Sequence, residues 1–411
     1  MNSLEQLYAH MQQLAALRRT IAAGGTNRSG VDYNLDSLKE VRDDILSWPR
    51  HNGRFVLRAG SAGEVVSGLD YELQELERDI VYIGDGESAL LQMLRQQNPG
   101  FDQGLQQLEQ QLRGFIPADG ADSRSSACIF VTDRDGTVNN YCGRYRSSVQ
   151  AAYNAVFLTR FARRCCRRSV ILSSAPLTNG GLIDVSVNPE GVFAYAGSKG
   201  RQYRDERGNS GALAIDQEQQ RVLDRFNQGL QQLVDQEQYR VFALIGSSLQ
   251  FKFGQTTVAR QDVEQSIPHK HSTHFLQAVT QLVRQIDPEQ QYLRIEDTGK
   301  DIEILLTIDS AADSRDFDKG DGLVFLDNEL TLGLRHSPVL VCGDTASDVP
   351  MARVAAQRSR HSLALFVGAD SELQQAVCSA NSNASFAASP DMLVAALNRI
   401  GRSKEQGSDD V

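Results

Sequence analysis

Apolar residues recur at helical spacing near the start of the chain, at Leu4, Leu7, Met11, Leu14 and Leu17, and again at Leu105, Leu108, Leu112 and Phe115. This periodicity predicts a mostly helical segment over residues 1 to 121. Gly24-Gly25, Ser29-Gly30 and the glycines flanking Ser61-Ala62 interrupt it, and the small and polar run Pro117 to Ser126 reads as a linker. A domain boundary near residue 122 follows.

Beyond that boundary the pattern changes to short continuous apolar runs alternating with helical ones. Ala127 to Val131 and Ser169 to Leu172 read as buried strands on either side of a helix from about Ser148 to Arg164. The alternation resumes with Pro338 to Cys342, Val349 to Ala356, Leu363 to Val367, Glu372 to Ala380 and Met392 to Ile400. Strands that alternate with helices predict an α/β fold, a Rossmann-like parallel sheet covered on both faces. Between the two halves, strands and hairpins dominate: Tyr239 to Ile245, Leu249 to Thr257, and Leu293 to Thr307 turning at Thr298-Gly299, around a helix from Phe275 to Ile286. The expected division is a helical N-terminal domain (1–121), a core in two parts (122–184 and 313–402), an inserted α/β cap (185–312) and a polar tail (403–411).

With 411 residues the chain can bury full-sized cores in two or three domains. Its net charge of −10 opposes binding to nucleic acid. The cluster Arg160, Arg163, Arg164, Arg167 and Arg168 reads as the solvated end of a helix. No apolar run is long enough to cross a bilayer, residues 1 to 25 lack the pattern of a signal peptide, and six cysteines without C-x-x-C spacing read as reduced thiols. The expectation is a cytoplasmic protein without a membrane partner. His269, His271 and His274 open a helix without a carboxylate or thiolate partner and read as its surface, not a zinc site.

Chemistry concentrates at strand ends, where open α/β sheets place their sites. Asp133 and Asp135 follow the first core strand in Val131-Thr-Asp-Arg-Asp-Gly-Thr137. Taken alone, such carboxylates also suit a solvated turn that caps a helix. Two of them can equally share work around one Mg²⁺, a hard cation that takes oxygen ligands. Asp133 would then attack phosphorus while Asp135 protonates the leaving oxygen and later deprotonates water. Arg134, Gly136 and Thr137 of the same turn are candidate phosphate contacts. Ser173 and Ser174 end the second strand, with Ser173 the preferred phosphate-binding hydroxyl. Gly343-Asp344-Thr-Ala-Ser-Asp348 ends a later strand, so Asp133, Asp135, Asp344 and Asp348 form the expected metal set. Lys319 precedes Gly320 just after the insert and would offset the charge of phosphate and carboxylates.

These four ordered pieces resemble the haloacid dehalogenase superfamily of phosphotransferases, whose motifs match Asp133 to Thr137, Ser173, Lys319, and Gly343 with Asp344 and Asp348. The resemblance covers roughly residues 125 to 402. The insert before the lysine is similar to the α/β cap of the branch that includes trehalose-6-phosphate and sucrose-phosphate phosphatases. Leu249 to Gly254 resembles the cap's Glu-x-Lys strand, and Gly299 to Glu303 its hairpin ending in a sugar-contacting Glu. Departures are Ser-Ala-Pro in place of Ser-Gly-Arg after the second strand, no His-Tyr-Arg at Thr256 to Arg260, and Arg134 where an aromatic or aliphatic residue is usual.

The resemblance implies a magnesium-dependent phosphatase for a sugar phosphate, with trehalose 6-phosphate or a related disaccharide or glycoside phosphate expected first. Lys252, Arg260 and Glu303 are the expected sugar contacts in the cap. The alternatives are a phosphomutase-like transferase, and a regulatory partner of a sugar-phosphate synthase that docks or self-associates through its helical N-terminal domain.

Overall fold

The structure, a computed structural model, describes residues 2–24, 28–60, 63–116, 127–306 and 317–406. The expected linker at Pro117 to Ser126 and the cap-to-core boundary at 312 lie outside the described residues. The N-terminal helices form as the periodicity requires: α1 (Leu4–Ala22), α2 (Arg28–Ser47), α3 (Asp70–Asp85), α4 (Glu87–Gln97) and α5 (Phe101–Phe115). Ser3 caps α1 by accepting from the Gln6 amide at 3.1 Å. An antiparallel sheet of β1 (Arg50–His51), β2 (Arg54–Ala59) and β3 (Gly63–Ser67) stands between α2 and α3. Its strands are too short for their alternation to stand out against the surrounding helical pattern.

The core begins with β4 (Cys128–Thr132), α6 (Ala152–Cys165) and β5 (Cys166–Leu172), followed by α7 (Leu182–Val185), β6 (Ala194–Gly197), β7 (Gln202–Arg204) and β8 (Ser210–Ala212). The cap comprises α8 (Gln217–Val234), β9 (Leu249–Lys252), β10 (Gln255–Ala259), α9 (His269–Ile286), β11 (Leu293–Asp297) and β12 (Asp301–Leu306). The chain returns through α10 (Lys319–Glu329), β13 (Val339–Gly343), α11 (Val349–Arg358), β14 (Ser362–Val367), α12 (Ser371–Ala380), β15 (Ala384–Ala387) and α13 (Pro390–Gln406).

The core sheet runs β15-β14-β13-β4-β5-β6-β7-β8. Its first six strands are parallel, and β7 and β8 add an antiparallel edge. Every residue of β4 and β13 is buried, as expected of central parallel strands covered on both faces. Three assignments change. Residues 194–212, expected in the cap, pair into the core sheet, because Ala194 and Ala196 bury against β5. Tyr239 to Ile245, expected as a strand, contains a 3-10 turn at Arg240–Ala243, which stacks Phe242 on Phe275 with centroids 4.0 Å apart. Residues 403–406, expected in the tail, continue α13.

The N-terminal segment packs on both core and cap. Leu4, Leu7, Tyr8, Met11 and Leu14 share one apolar cluster with Phe226, Phe242 and Phe275 of the cap, and the Tyr8 hydroxyl donates to the Leu244 carbonyl. The Gly68 amide donates to Glu264 Oε1 of the cap at 2.6 Å. Toward the core, Arg18 pairs with Asp79 at 2.7 Å, and Asp79 accepts from the Ala152 amide, 2.8 Å away, at the start of α6. Arg144 grips both oxygens of Glu72, and Arg78 meets Asp391 at 3.1 Å. Such buried pairs hold because each charge keeps its partner; removing one partner costs roughly 3–5 kcal/mol.

Candidate active site

The parallel register brings the carboxyl ends of β4, β5 and β13 to one edge. Asp133 is the first residue beyond β4, and its amide donates to the Cys342 carbonyl of β13 at 3.0 Å, which fixes where its side chain emerges. Asp344 follows β13 directly. Lys319 Nζ, buried between the strand ends, lies 2.6 Å from Asp133 Oδ1 and 2.5 Å from Asp348 Oδ1. The Thr137 hydroxyl lies 2.9 Å from Asp344 Oδ1 and 3.3 Å from Asp133 Oδ2. Asp348 Oδ2 accepts from the amides of Asp344 at 3.2 Å and Thr345 at 3.0 Å, so Asp348 orients the loop that carries Asp344.

Carboxylate oxygens of Asp133, Asp344 and Asp348 all lie within 4.8 Å of one another. One ammonium against three carboxylates leaves negative charge uncompensated. Burial, against the pull of Lys319 and with the push of Asp348, raises Asp133 to about 6. Burial and the Asp133 and Asp348 charges raise Asp344 to about 8. Burial alone would lower Lys319, but the Asp133 and Asp348 carboxylates outweigh it and hold the ammonium above the ordinary lysine range. A divalent cation with hard oxygen ligands fits this excess of charge and its all-oxygen donor set. Asp133 and Asp344 are the residues placed to hold it, with Asp348 behind them. Gly136 keeps the place open: with φ +89°, a Cβ there would fall 2.1 Å from Asp344 Oδ2.

A pH dependence follows for the metal-free protein. Folded Asp133 and Asp344 retain protons that the unfolded chain has released above about pH 4, so the folded state binds more protons and loses stability as pH rises from about 4 to 8. Thermal unfolding is expected to show a lower Tm at pH 8 than at pH 6, with added Mg²⁺ stabilising more at pH 8. A metal effect equal at both pH values would count against this charge balance.

Lys319 reaches the strand ends because α10 starts there. Asp318 and Asp321 close a capping box at its first turn. Gly322 lets the helix approach the turn at 198–200, where a Cβ would stand 2.0 Å from the Lys199 carbonyl oxygen. Gly322→Ala is therefore expected to destabilise by about 1–3 kcal/mol, read by denaturant unfolding, and to lower activity by displacing Lys319.

The other candidates sort differently. Asp135 Oδ1 accepts from Ser148 Oγ at 2.7 Å, from Asn139 Nδ2 at 3.5 Å and from Arg134 Nη1. Its carboxylate stands apart from the acidic cluster and opens on a cavity of about 90 Å³ lined also by Tyr141, Tyr145, Gly246 and Ser247. Arg134 was expected to meet phosphate, but its guanidinium is buried on Asp135, the Ser148 carbonyl and the Val185 carbonyl at 3.1 Å. Gly136 was a phosphate candidate too, yet its amide is spent on the Asn139 carbonyl at 2.7 Å. Thr137 turns its hydroxyl to the carboxylates. Ser173, 5% exposed, sits just past β5 with Oγ accepting from the Ala175 amide at 3.2 Å, and Ser174 beside it is half-buried.

In the cap, the register Lys252↔Gln255 and Thr257↔Glu303 places Gln250, Lys252, Gln255, Thr257, Asp301 and Glu303 on one face of the sheet. Val258, Ile302 and Ile304 on the other face pack with Phe226 and Phe275. Burial lowers Lys252, with Glu303 and Asp301 opposing and Lys199 of the core adding to it, so the polar face looks toward the core. The Phe253 amide donates to Ser198 Oγ at 2.9 Å and ties the β9–β10 turn to the core. Arg260 departs from expectation: it is paired inside the cap with Asp297 at 2.6 Å and Ser272 at 3.0 Å, away from that face. Ser148 and Asn139 belong to the site but carry no local motif, because only the folded turn brings them to Asp135.

The family described as Trehalose-6-phosphate phosphatase, C-terminal, matches residues 130–393. A Caenorhabditis elegans protein named alpha,alpha-trehalose-phosphate synthase [UDP-forming] 2 is 29% identical over 96% of this chain and 33% of its own length. A C. elegans trehalose-phosphatase is 32% identical over 66% of this chain and 63% of its own length. The chain thus spans about a third or less of the first curated relatives it matches. Among solved structures, the C-terminal domain of Candida albicans trehalose-6-phosphate phosphatase aligns with a TM-score of 0.46 at 12% identity, over 72% of this chain and 96% of that one.

Proposed function

We propose a function from the premise that this chain belongs to the trehalose-6-phosphate phosphatase C-terminal family: it is a Mg²⁺-dependent phosphatase for a phosphorylated disaccharide, trehalose 6-phosphate first. The observation that carries the reading is the contact of buried Lys319 with Asp133 at 2.6 Å, beside Asp344. The relatives named trehalose-phosphatase support the choice of sugar.

The chemistry follows from the chain's own groups. An Asp133 oxygen attacks phosphorus, the bond from phosphorus to the sugar oxygen breaks, and Asp135 supplies the proton that the leaving alkoxide needs. Asp135, now a base, takes a proton from water, whose oxygen attacks the aspartyl-phosphate and frees phosphate and Asp133. Lys319 holds Asp133 in place and offsets developing negative charge. A divalent cation held by Asp133 and Asp344 would supply further charge neutralisation on the phosphoryl oxygens. Lys252, Gln255 and Glu303 offer the sugar charged and amide groups on a rigid sheet, and the cap excludes bulk water.

Phosphate release from trehalose 6-phosphate, sucrose 6-phosphate and glucose 6-phosphate with Mg²⁺ tests the reading. The disaccharide is expected to show a kcat/KM at least tenfold above glucose 6-phosphate. Isomerised sugar phosphate without free phosphate would establish the transferase instead. A second role, as partner of a sugar-phosphate synthase, is supported by similarity over 96% of the chain to a protein named as a synthase; co-purification with such a synthase tests it.

A further inference from the structure

We propose that Lys199 is a substrate-binding residue whose ammonium meets the phosphoryl group from the β6 side of the carboxylate edge. The inference rests on the reading that this group sits at Asp133. Lys199 lies two residues past β6, so the parallel register that delivers Asp133 and Ser173 to the edge delivers it too. The Ser173 amide donates to the Ala196 carbonyl at 2.9 Å, and the Lys199 amide donates back to the Ser173 carbonyl at 2.9 Å. β4 and β6 flank β5, with adjacent strands about 4.8 Å apart. The stem of a lysine and a phosphoryl group on Asp133 span that gap together.

Charge balance calls for a further cation here. With three carboxylates ionised, Lys319 and one divalent cation cancel them, which leaves the roughly two negative charges of a phosphoryl group without a counter-charge. Arg134 of the motif turn is committed to Asp135 and two carbonyls. Lys199 is half-buried, and among the described residues its ammonium has no ion pair or hydrogen bond. Ser198 Oγ accepts from the Phe253 amide at 2.9 Å, which sets Lys199 and Lys252 on either side of one contact between core and cap. Burial lowers Lys252 against Glu303 and Asp301, and Lys199 adds to it. Two ammonium groups that repel across a cleft both gain from an anion bound there.

The backbone singles out the same residue. Ser198, Lys199 and Gly200 take left-handed φ angles of 53°, 61° and 91° in succession. The Cβ of a lysine disfavours this conformation, and glycine would hold it without that cost. The turn is kept by the Ser198 amide on the Ala175 carbonyl at 2.7 Å and by Gly200 against α10, where a Cβ would fall 2.7 Å from the Gly322 Cα. A strained lysine at the edge that carries the acidic cluster points to a side chain that serves a ligand.

Because glycine suits this φ, Lys199→Gly removes the charge without breaking the turn, and it is expected to melt within about 2 °C of the parent. Calorimetric titration of inorganic phosphate into the Mg²⁺-loaded protein is expected to show affinity about tenfold weaker in Lys199→Gly and within about threefold of the parent in Lys199→Arg. Trehalose, which carries no charge, is expected to bind both variants within about twofold of the parent. Unchanged phosphate affinity in Lys199→Gly, an equal weakening for trehalose, or a loss in Lys199→Arg as large as in Lys199→Gly would overturn the proposal. The titration needs no substrate, so it reads Lys199 whichever sugar is turned over. Failure of the parent to release phosphate from any sugar phosphate would count against the earlier reading instead.

Discussion

Asp133→Asn is expected to remove essentially all turnover of a sugar phosphate, a fall of about 10⁴-fold or more in kcat, while leaving the fold intact. The amide keeps the shape and still accepts from Lys319, but it lacks the carboxylate oxygen on which every step of the proposed route depends. Stability should not fall with activity. Asp133 is one of three carboxylates crowded within 4.8 Å, so neutralising it relieves repulsion on Asp344, the group burial and those charges push up to about 8. The metal-free variant is expected to melt no lower than the parent at pH 8, and phosphate-release assays should read background. Retention of more than a tenth of parental kcat would falsify the covalent route.

Lys319→Met should carry the second largest effect, and it should strike stability and catalysis together. The ammonium is 3% exposed and bridges Asp133 and Asp348. Without it, these buried carboxylates lose the one cation that contacts them among the described residues, at a cost of roughly 3–5 kcal/mol, and the proposed transition state loses a preorganised charge, at a cost of about 10²–10³-fold in kcat. Removing the cation raises Asp133 further above its ordinary value, so the stability deficit should shrink as pH falls below about 6 and grow toward pH 8. Denaturant melts at pH 5.5 and 8 check this. A deficit that did not change with pH would mean that Lys319 contributes packing and not charge.

The two variants separate what the acidic edge does for chemistry from what it costs the fold. Asp133→Asn discards the proposed nucleophile and relaxes the site; Lys319→Met leaves that carboxylate in place and strains the site. The acidic edge carries more negative charge than Lys319 balances, and that imbalance is the feature both variants probe.

The sequence by itself determined the core strands and the charged residues at their ends. Val339–Gly343 and Cys128–Thr132 are continuous apolar runs that only a doubly covered parallel sheet buries, so Asp133 and Asp344 were bound to emerge at one edge. Lys319 was legible because Lys319-Gly320 stands just after the insert and in the order of the third motif. What tertiary structure alone decided are the contacts between segments distant in sequence. Arg134 lies in the motif turn, yet the Val185 and Ser148 carbonyls and Asp135 draw its guanidinium away from the edge, because a buried cation goes where acceptors are. Arg260 follows Ala259 of β10 and so turns to the side of the sheet away from Thr257 and Glu303, where Asp297 holds it. Residues 194–212 were not legible as core because their strands are only three or four residues long; they join the sheet because β6 pairs with the free edge of β5 and β7 and β8 add on in turn. Tyr71 and Asn139 meet across 68 positions of sequence, and local patterning holds no information about a hydrogen bond that exists only after α3 has docked on the core.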